Sequence, residues 1–455
     1  MQVGAVQVGA ALDGTVPGMT PATDRWWDSS LDVEIFARDA VGRARDAAAR
    51  LVRARGLVTR VGTTPELIAA GFAAYDHLRV DGEPVETWGE LSGFVRAADG
   101  WVRLHGNFPH HASALRELYG IRDRPGLERA LSSRRASDIE EEVTAAGGIA
   151  ARVRTREEWA VHPQARSRAG KPWVEREDRG ERATLGPVRA AETDGAGAAP
   201  LPLAGVRVLD LTRVLAGPTA SQLLACLGAD VLRLDPPHRP EIPAQHLATG
   251  MGKRSALLDL RREEDRRTAH DLAATADVIL LGYRPGALAR HGFGADELAR
   301  VAPRAVIAEL SAWDATGPWG ERAGFDSIVQ AASGIAALCG DGETPGALPV
   351  QALDLATGHV LAAEVLDALA EARARTVRLS LLGAAEALCA LPRPAASRGA
   401  EPSRGARAAA LEVPRVRVRA GEQVLDAVPP ALRLDGRDLA RDIGVYGAAV
   451  PAWCD

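Results

Sequence analysis

The sequence predicts an α/β protein, with a Rossmann-like large domain on a parallel sheet and a smaller α+β domain beside it. Three observations lead to that class. Leu203 to Asp235 reads as strand, helix, strand: an apolar run of Val206, Val208, Leu209 and Leu211, then Ala220, Leu223, Leu224 and Leu227 at helical spacing, then a second run, Val231 to Leu234. Downstream, short apolar runs keep alternating with helical patterns, as in a doubly wound sheet. A separate stretch, 93–165, instead has a strand, Trp101 to Leu104, after the turn Asp99-Gly100, followed by several short helices.

Taken in order, residues 1–24 are rich in Gly, Thr and Pro and read as a flexible N-terminus. Residues 25–92 give a long Ala/Arg helix, a short strand near Leu57 to Val61 and a helix over TPELIAAGF. Residues 93–175 form the small α+β domain. Two of its helices carry capping-box signatures, Ser137 with Glu140 and Thr155 with Glu158, in which each side chain satisfies the other residue's free backbone donor. Residues 176–200 turn charged and then Gly, Ala and Pro rich, a linker. The large domain spans 201–391. In its first helix Gly217-Pro218 puts proline at the opening position and Gly228 supplies the stop. A helix follows at Glu263 to Ala274, then strands at Val278 to Leu281 and Ala305 to Leu310. Next come a helix with Phe325, Ile328, Val329, Ala332 and Ile335 on one face, and a helix carrying Leu361, Val365 and Leu369. A strand at Thr376 to Leu381 alternates apolar and polar residues as a half-buried strand does. Residues 392–410 read as a second linker and 411–455 as a C-terminal tail with strand character near Val416 to Val418. Leu31-Asp32 and Leu353-Asp354 each precede the same order of elements, so 25–92 is a candidate truncated copy of part of the large domain.

The 455 residues suffice for two or three domains, and a formal net charge of -5 excludes a nucleic-acid footprint or a polybasic membrane patch. Lys171 and Lys253 are the only lysines; the remaining cationic side chains are arginine. Cys226, Cys339, Cys389 and Cys454 are scattered without a C-x-x-C pair, and no metal site is expected. The N-terminus lacks the basic region of a signal peptide, and no run reaches the roughly 20 apolar residues of a membrane span. A cytoplasmic protein is expected.

The turn VLDLTRVLAGP lacks G-x-G-x-x-G, which argues against a dinucleotide cofactor. Its helix still points free donors at the crevice beyond the strand ends, where an anionic ligand would sit. Lys253 and Arg254 before one strand, and Arg284 and Arg290 after another, are candidate phosphate contacts. Asp354, read locally, is a helix N-cap. His110 and His111 in GNFPHHAS read as surface or capping residues.

The blocks RVLDLTRVLAGPTASQLLACLGADVLRLDPP, GKRSALLDL, ADVILLGYRPGALARHGFG, LSAWDATGPWGERAGFDSIVQAASGIA and ALDLATGHVLAA resemble, in order and spacing, the class III CoA-transferases of the CaiB/BaiF family. The stretch from FVRAADGWVRLHGN to VRTREEWAVHPQ resembles that family's small domain, which here precedes the large one. Such an order implies a circular permutation or a truncated first copy fused to a second. The resemblance implies a CoA-transferase that moves CoA between an acyl-CoA thioester and a free carboxylic acid. Asp354 would be the nucleophile, passing through an aspartyl-CoA thioester and aided by helix N-terminal donors. It also implies that Val214, Leu215 and Ala216 lie along coenzyme A, that Lys253 and Arg284 help hold its nucleotide end, and that the protein is a homodimer. Gly282 and Tyr283 depart from the Asn-Phe common in that block. Racemase members show AGHD where this chain has AGFD; Phe325 exchanges no proton, which argues against an acyl-CoA racemase or isomerase. A catalytically inactive CoA-binding subunit is the remaining alternative.

Overall fold

The structure, a computed structural model, describes residues 26–188, 201–394 and 412–454. The expected flexible N-terminus 1–24, residues 189–200 of the first expected linker and residues 395–410 of the second lie outside those residues. Seven strands form the main sheet: β1 Val174–Glu181, β2 Arg207–Leu211, β3 Asp230–Asp235, β4 Lys253–Leu257, β5 Val278–Leu281, β6 Val306–Ser311 and β7 Arg373–Ser380. Their order is β4-β3-β2-β5-β6-β7-β1. The six strands β2 to β7 are parallel, and β1 runs antiparallel against β7. The strand order reverses between β2 and β5, which makes a switch point where the following connections leave in opposite directions.

β2, β3, β5 and β6 are buried along nearly their whole lengths, as parallel strands covered on both faces must be. One face packs helix Glu263–Ala274 and Phe293 over Leu209, Leu232, Ile279 and Ile307. The other face carries α1 Val33–Ala54, α2 Ala216–Cys226, α3 Asp326–Ala332 and α4 Ala352–Ala370. Helix α4 is buried almost all round, because α1, α2 and the sheet enclose it. Gly358 permits the α2 crossing: a Cβ there would meet the Ala216 carbonyl oxygen at 2.5 Å. The small module has its own core of Leu104, Leu115, Leu127 and Ile139. Strand Gln423–Ala427 near the end of the chain pairs with Arg79–Val80 near its beginning.

Several local expectations change. The stretch read as a linker from 176 begins inside β1, whose outward charges are met by neighbours rather than solvent alone: Arg176 binds Glu364, and Arg375 binds Asp178. Such a charged edge strand is indistinguishable by composition from a linker. Pro218 is the third residue of α2, after Ala216 and Gly217. The Thr155–Glu158 capping box forms, but Ser137 and Glu140 make none. Glu140 is instead buried and paired with Arg154 and Arg322, a demand that outweighs capping. In β7 the polar Thr376 and Ser380 are buried along with Val377 and Leu379, since both faces are covered. The strand expected over Leu57 to Val61 shrinks to Val61–Gly62.

Candidate active site

Beyond the ends of β2 and β5 the chain turns in a space too tight for side chains. A Cβ on Gly217 would lie 2.3 Å from the Thr212 Cβ, and one on Gly282 would lie 2.9 Å from the same atom. Thr212 is fixed by its N–H and hydroxyl, which donate to Asp210 Oδ1 at 3.0 and 2.5 Å; Asp210 Oδ2 accepts the Ser221 hydroxyl of α2 at 2.6 Å. Val214 follows with φ of 70°, a left-handed conformation costing a β-branched residue on the order of 1–2 kcal/mol. Its N–H donates to Glu241 Oε2 at 3.0 Å. Glu241 is buried, and burial pushes its carboxyl up, but Arg233 at 2.8 Å and Arg213 at 3.5 Å outweigh that and hold it below the usual range. A fixed carboxylate therefore holds the strained turn.

This turn forms one wall of a cleft of about 1150 Å³ between the large sheet and the small module. Val214, Ala216, Arg284 and Arg290 line it, together with Arg213, Arg239 and Arg261. Leu215 lines a second, smaller chamber of about 170 Å³. Val214, Phe325 and Asp354 border both spaces.

Lys253 and Arg254 are not brought to the cleft. The Lys253 ammonium is buried behind α2, 2.9 Å from Ser221 Oγ and 3.4 Å from Asp210 Oδ2; burial lowers it to about 8, against the pull of Asp210. Arg254 grips Asp230 at 2.7 Å and the Ala452 carbonyl at 2.7 Å on the outer edge of the sheet. Both lie on β4, and proximity in sequence to a strand end does not decide which side of the sheet a side chain serves.

Asp354 is not the N-cap, which is Gln351; it stands third in α4 and is 6% exposed. Its own N–H donates to Asp326 Oδ2 at 3.0 Å. Asp326 opens α3; its other oxygen accepts the Gln330 amide, whose carbonyl in turn accepts Leu348 N–H at 2.9 Å. Burial pushes Asp326 up to about 6, restrained by these donors, and pushes Asp354 well above the usual carboxylate range, with the Asp326 charge adding to the effect. The expected assistance from free helix donors is not found. Ala352 N–H binds the Val350 carbonyl, Leu355 N–H binds Gln351, and the Asp354 N–H is taken by Asp326. Asp326, well supplied with donors, ionises first, and Asp354 keeps its proton longer.

The small module contributes an aromatic cluster that sequence reading missed. His105 stacks on Phe325 with ring centroids 3.9 Å apart, and His111 meets the same ring edge-on at 5.9 Å. His111 is buried in the cleft wall rather than on the surface; burial, His110 and the nearby arginines Arg239 and Arg213 lower it to about 3, so it is neutral. The Asp of GFD and the paired histidines were visible in the sequence, but only the fold sets them beside Asp354. Among the described residues no group of three or more His, Cys, Asp or Glu side chains is arranged to hold a metal ion.

Residues 203–420 match the model of CoA-transferase family III. This part of the chain is similar to CoA-transferase family III. Within it, the chain is 38% identical over 182 residues to the probable fatty acyl-CoA transferase Rv3272 of Mycobacterium tuberculosis, covering 37% of this chain and 46% of that one. It is 32% identical over 213 residues to the succinate–glutarate CoA-transferase of Agrobacterium fabrum, covering 42% and 53%. A crystal structure of Rv3272 is similar with 36% identity and a TM-score of 0.39, over 42% of this chain and 56% of that one. The chain spans less than half the length of the first curated relatives it matches. Among the described residues no helix is long and apolar enough to cross a membrane.

Proposed function

We propose that the protein is a CoA-transferase of the CaiB/BaiF type, moving CoA from an acyl-CoA thioester to a free carboxylic acid through Asp354. The observation that carries this reading is the position of Asp354: a buried carboxyl where an arginine-lined cleft meets a smaller chamber. The cleft suits the long anionic substrate, with Arg284 and Arg290 facing its phosphates and Val214 and Ala216 along its pantetheine arm. The ionised Asp354 oxygen attacks the thioester carbonyl carbon, the C–S bond breaks, and CoA thiolate leaves behind a mixed anhydride. The thiolate then attacks the aspartyl carbonyl, releasing the donor acid as its carboxylate and leaving an aspartyl-CoA thioester. The acceptor carboxylate reverses both steps: it displaces thiolate to form a new anhydride, and the thiolate takes the acyl group, which returns Asp354 as a carboxylate.

Incubation with an acyl-CoA followed by hydroxylamine or borohydride should mark Asp354, detected as a mass shift on its peptide. Asp354→Ala should lower turnover by about 10³-fold or more. A protein left unmarked by a range of acyl-CoAs would refute the proposal. Racemisation is a weaker reading, because Phe325 offers no proton and neutral His111 is a poor base; solvent deuterium at the substrate α-carbon would restore it. A cytoplasmic homodimer belongs to the same proposal, supported by the family resemblance, and a sedimentation profile of monomer alone would remove the dimer.

A further inference from the structure

Resting on the transferase reading, we propose that the chamber beside Asp354 selects an uncharged acyl group, so that the acids exchanged are monocarboxylic rather than dicarboxylic. Because Asp354 borders both spaces, a thioester whose CoA arm lies in the cleft and whose carbonyl meets Asp354 extends its acyl group into the chamber. Apolar side chains such as Phe72, Leu223, Val350 and Val428 share the chamber wall with neutral polar ones such as Asn107, Gln222 and Gln245. Among the described residues that line it there is no arginine or lysine. Its two histidines do not replace them: burial lowers His105 to about 3 and His359 to about 4, and His359 Nδ1 lies 2.7 Å from the Leu355 carbonyl oxygen. The one carboxyl lining the chamber besides Asp354 is that of Asp76. A second carboxylate on the acyl group would thus exchange water for uncharged walls and like charge, with no counter-ion. The cationic side chains of this site face the other way, into the cleft, where the phosphates lie in the proposed reading.

The test uses the full chain and two readouts. Equilibrium binding of butyryl-CoA against succinyl-CoA, which share the CoA arm and differ in the distal carboxylate, should favour butyryl-CoA by at least about tenfold. Transfer from butyryl-CoA should proceed to small aliphatic or aromatic monocarboxylates with kcat/KM about 100-fold or more above that for succinate or glutarate. Equal or tighter binding of succinyl-CoA, or preferred transfer to the dicarboxylates, overturns the assignment. Preferential binding of butyryl-CoA without transfer to any acid upholds the chamber's selectivity and instead sinks the transferase reading.

Discussion

At Asp354 burial and the neighbouring Asp326 both favour the protonated form, while the proposed chemistry needs the anion. Activity should therefore rise with pH along a limb set by Asp354, since its proton must leave first. Replacing Asp326 with Asn removes the like charge but keeps an oxygen to accept the Asp354 N–H, so the rising limb of a kcat/KM profile should move to lower pH; a limb that stays put would show that burial alone sets it. Glu241 is the second residue of consequence. Glu241→Ala takes the acceptor from strained Val214 and the partner from buried Arg233, with an expected loss of about 3–5 kcal/mol in urea unfolding; Glu241→Gln retains the acceptor and should lose less. Sequence reading reached Asp354 through its motif and the GFD block only as an argument about Phe325. It did not reach Glu241, because the partners of that side chain come from strand β3 (Arg233) and from the turn after β2 (Arg213 and Val214), and meet only after the sheet has formed.

Between elements, the decisive contact is the crossing of α2 over α4. Gly358→Ala would put a methyl 2.5 Å from the Ala216 carbonyl and force the helices apart, with an expected cost of about 1–3 kcal/mol by thermal melting and a weaker grip on acyl-CoA because Ala216 lines the cleft. Unchanged melting would mean that α2 yields without penalty. The parallel strands were legible because burial on both faces leaves continuous apolar runs, and their helices because one face repeats every three to four residues. Lys253, Arg254 and β1 were not, for a common reason. A charged residue in sequence records only that its charge is satisfied somewhere: by Asp210 and Ser221 beneath a helix, by Asp230 on an edge, or by Glu364 on α4 and Arg375 across a strand pair.

Across the whole molecule, elements far apart along the chain complete one another. Helix α1 lies along α4, β1 closes the sheet edge at β7, and the strands near residues 80 and 425 share a sheet. Residues 201–455 expressed alone would leave the α1-facing side of α4 and the free edge of β7 uncovered, so they should be recovered mainly as aggregate, and co-expression with residues 1–200 should restore soluble protein. Soluble, cooperatively melting 201–455 would contradict this. This interlocking was not readable in the sequence, since pairing across such distances leaves no local trace. It also sets a timetable at the ribosome. Arg50 of α1 waits for Asp367 of α4, 317 residues later, which at about 5–20 residues per second is a delay of roughly 15–60 s. Throughout that interval the α4-facing stripe of α1 is unclaimed, and so, once it is made, is the inner edge of β1. The nascent chain therefore carries an uncovered apolar stripe through much of its synthesis, and slower translation of the middle third would lengthen that exposure rather than aid folding.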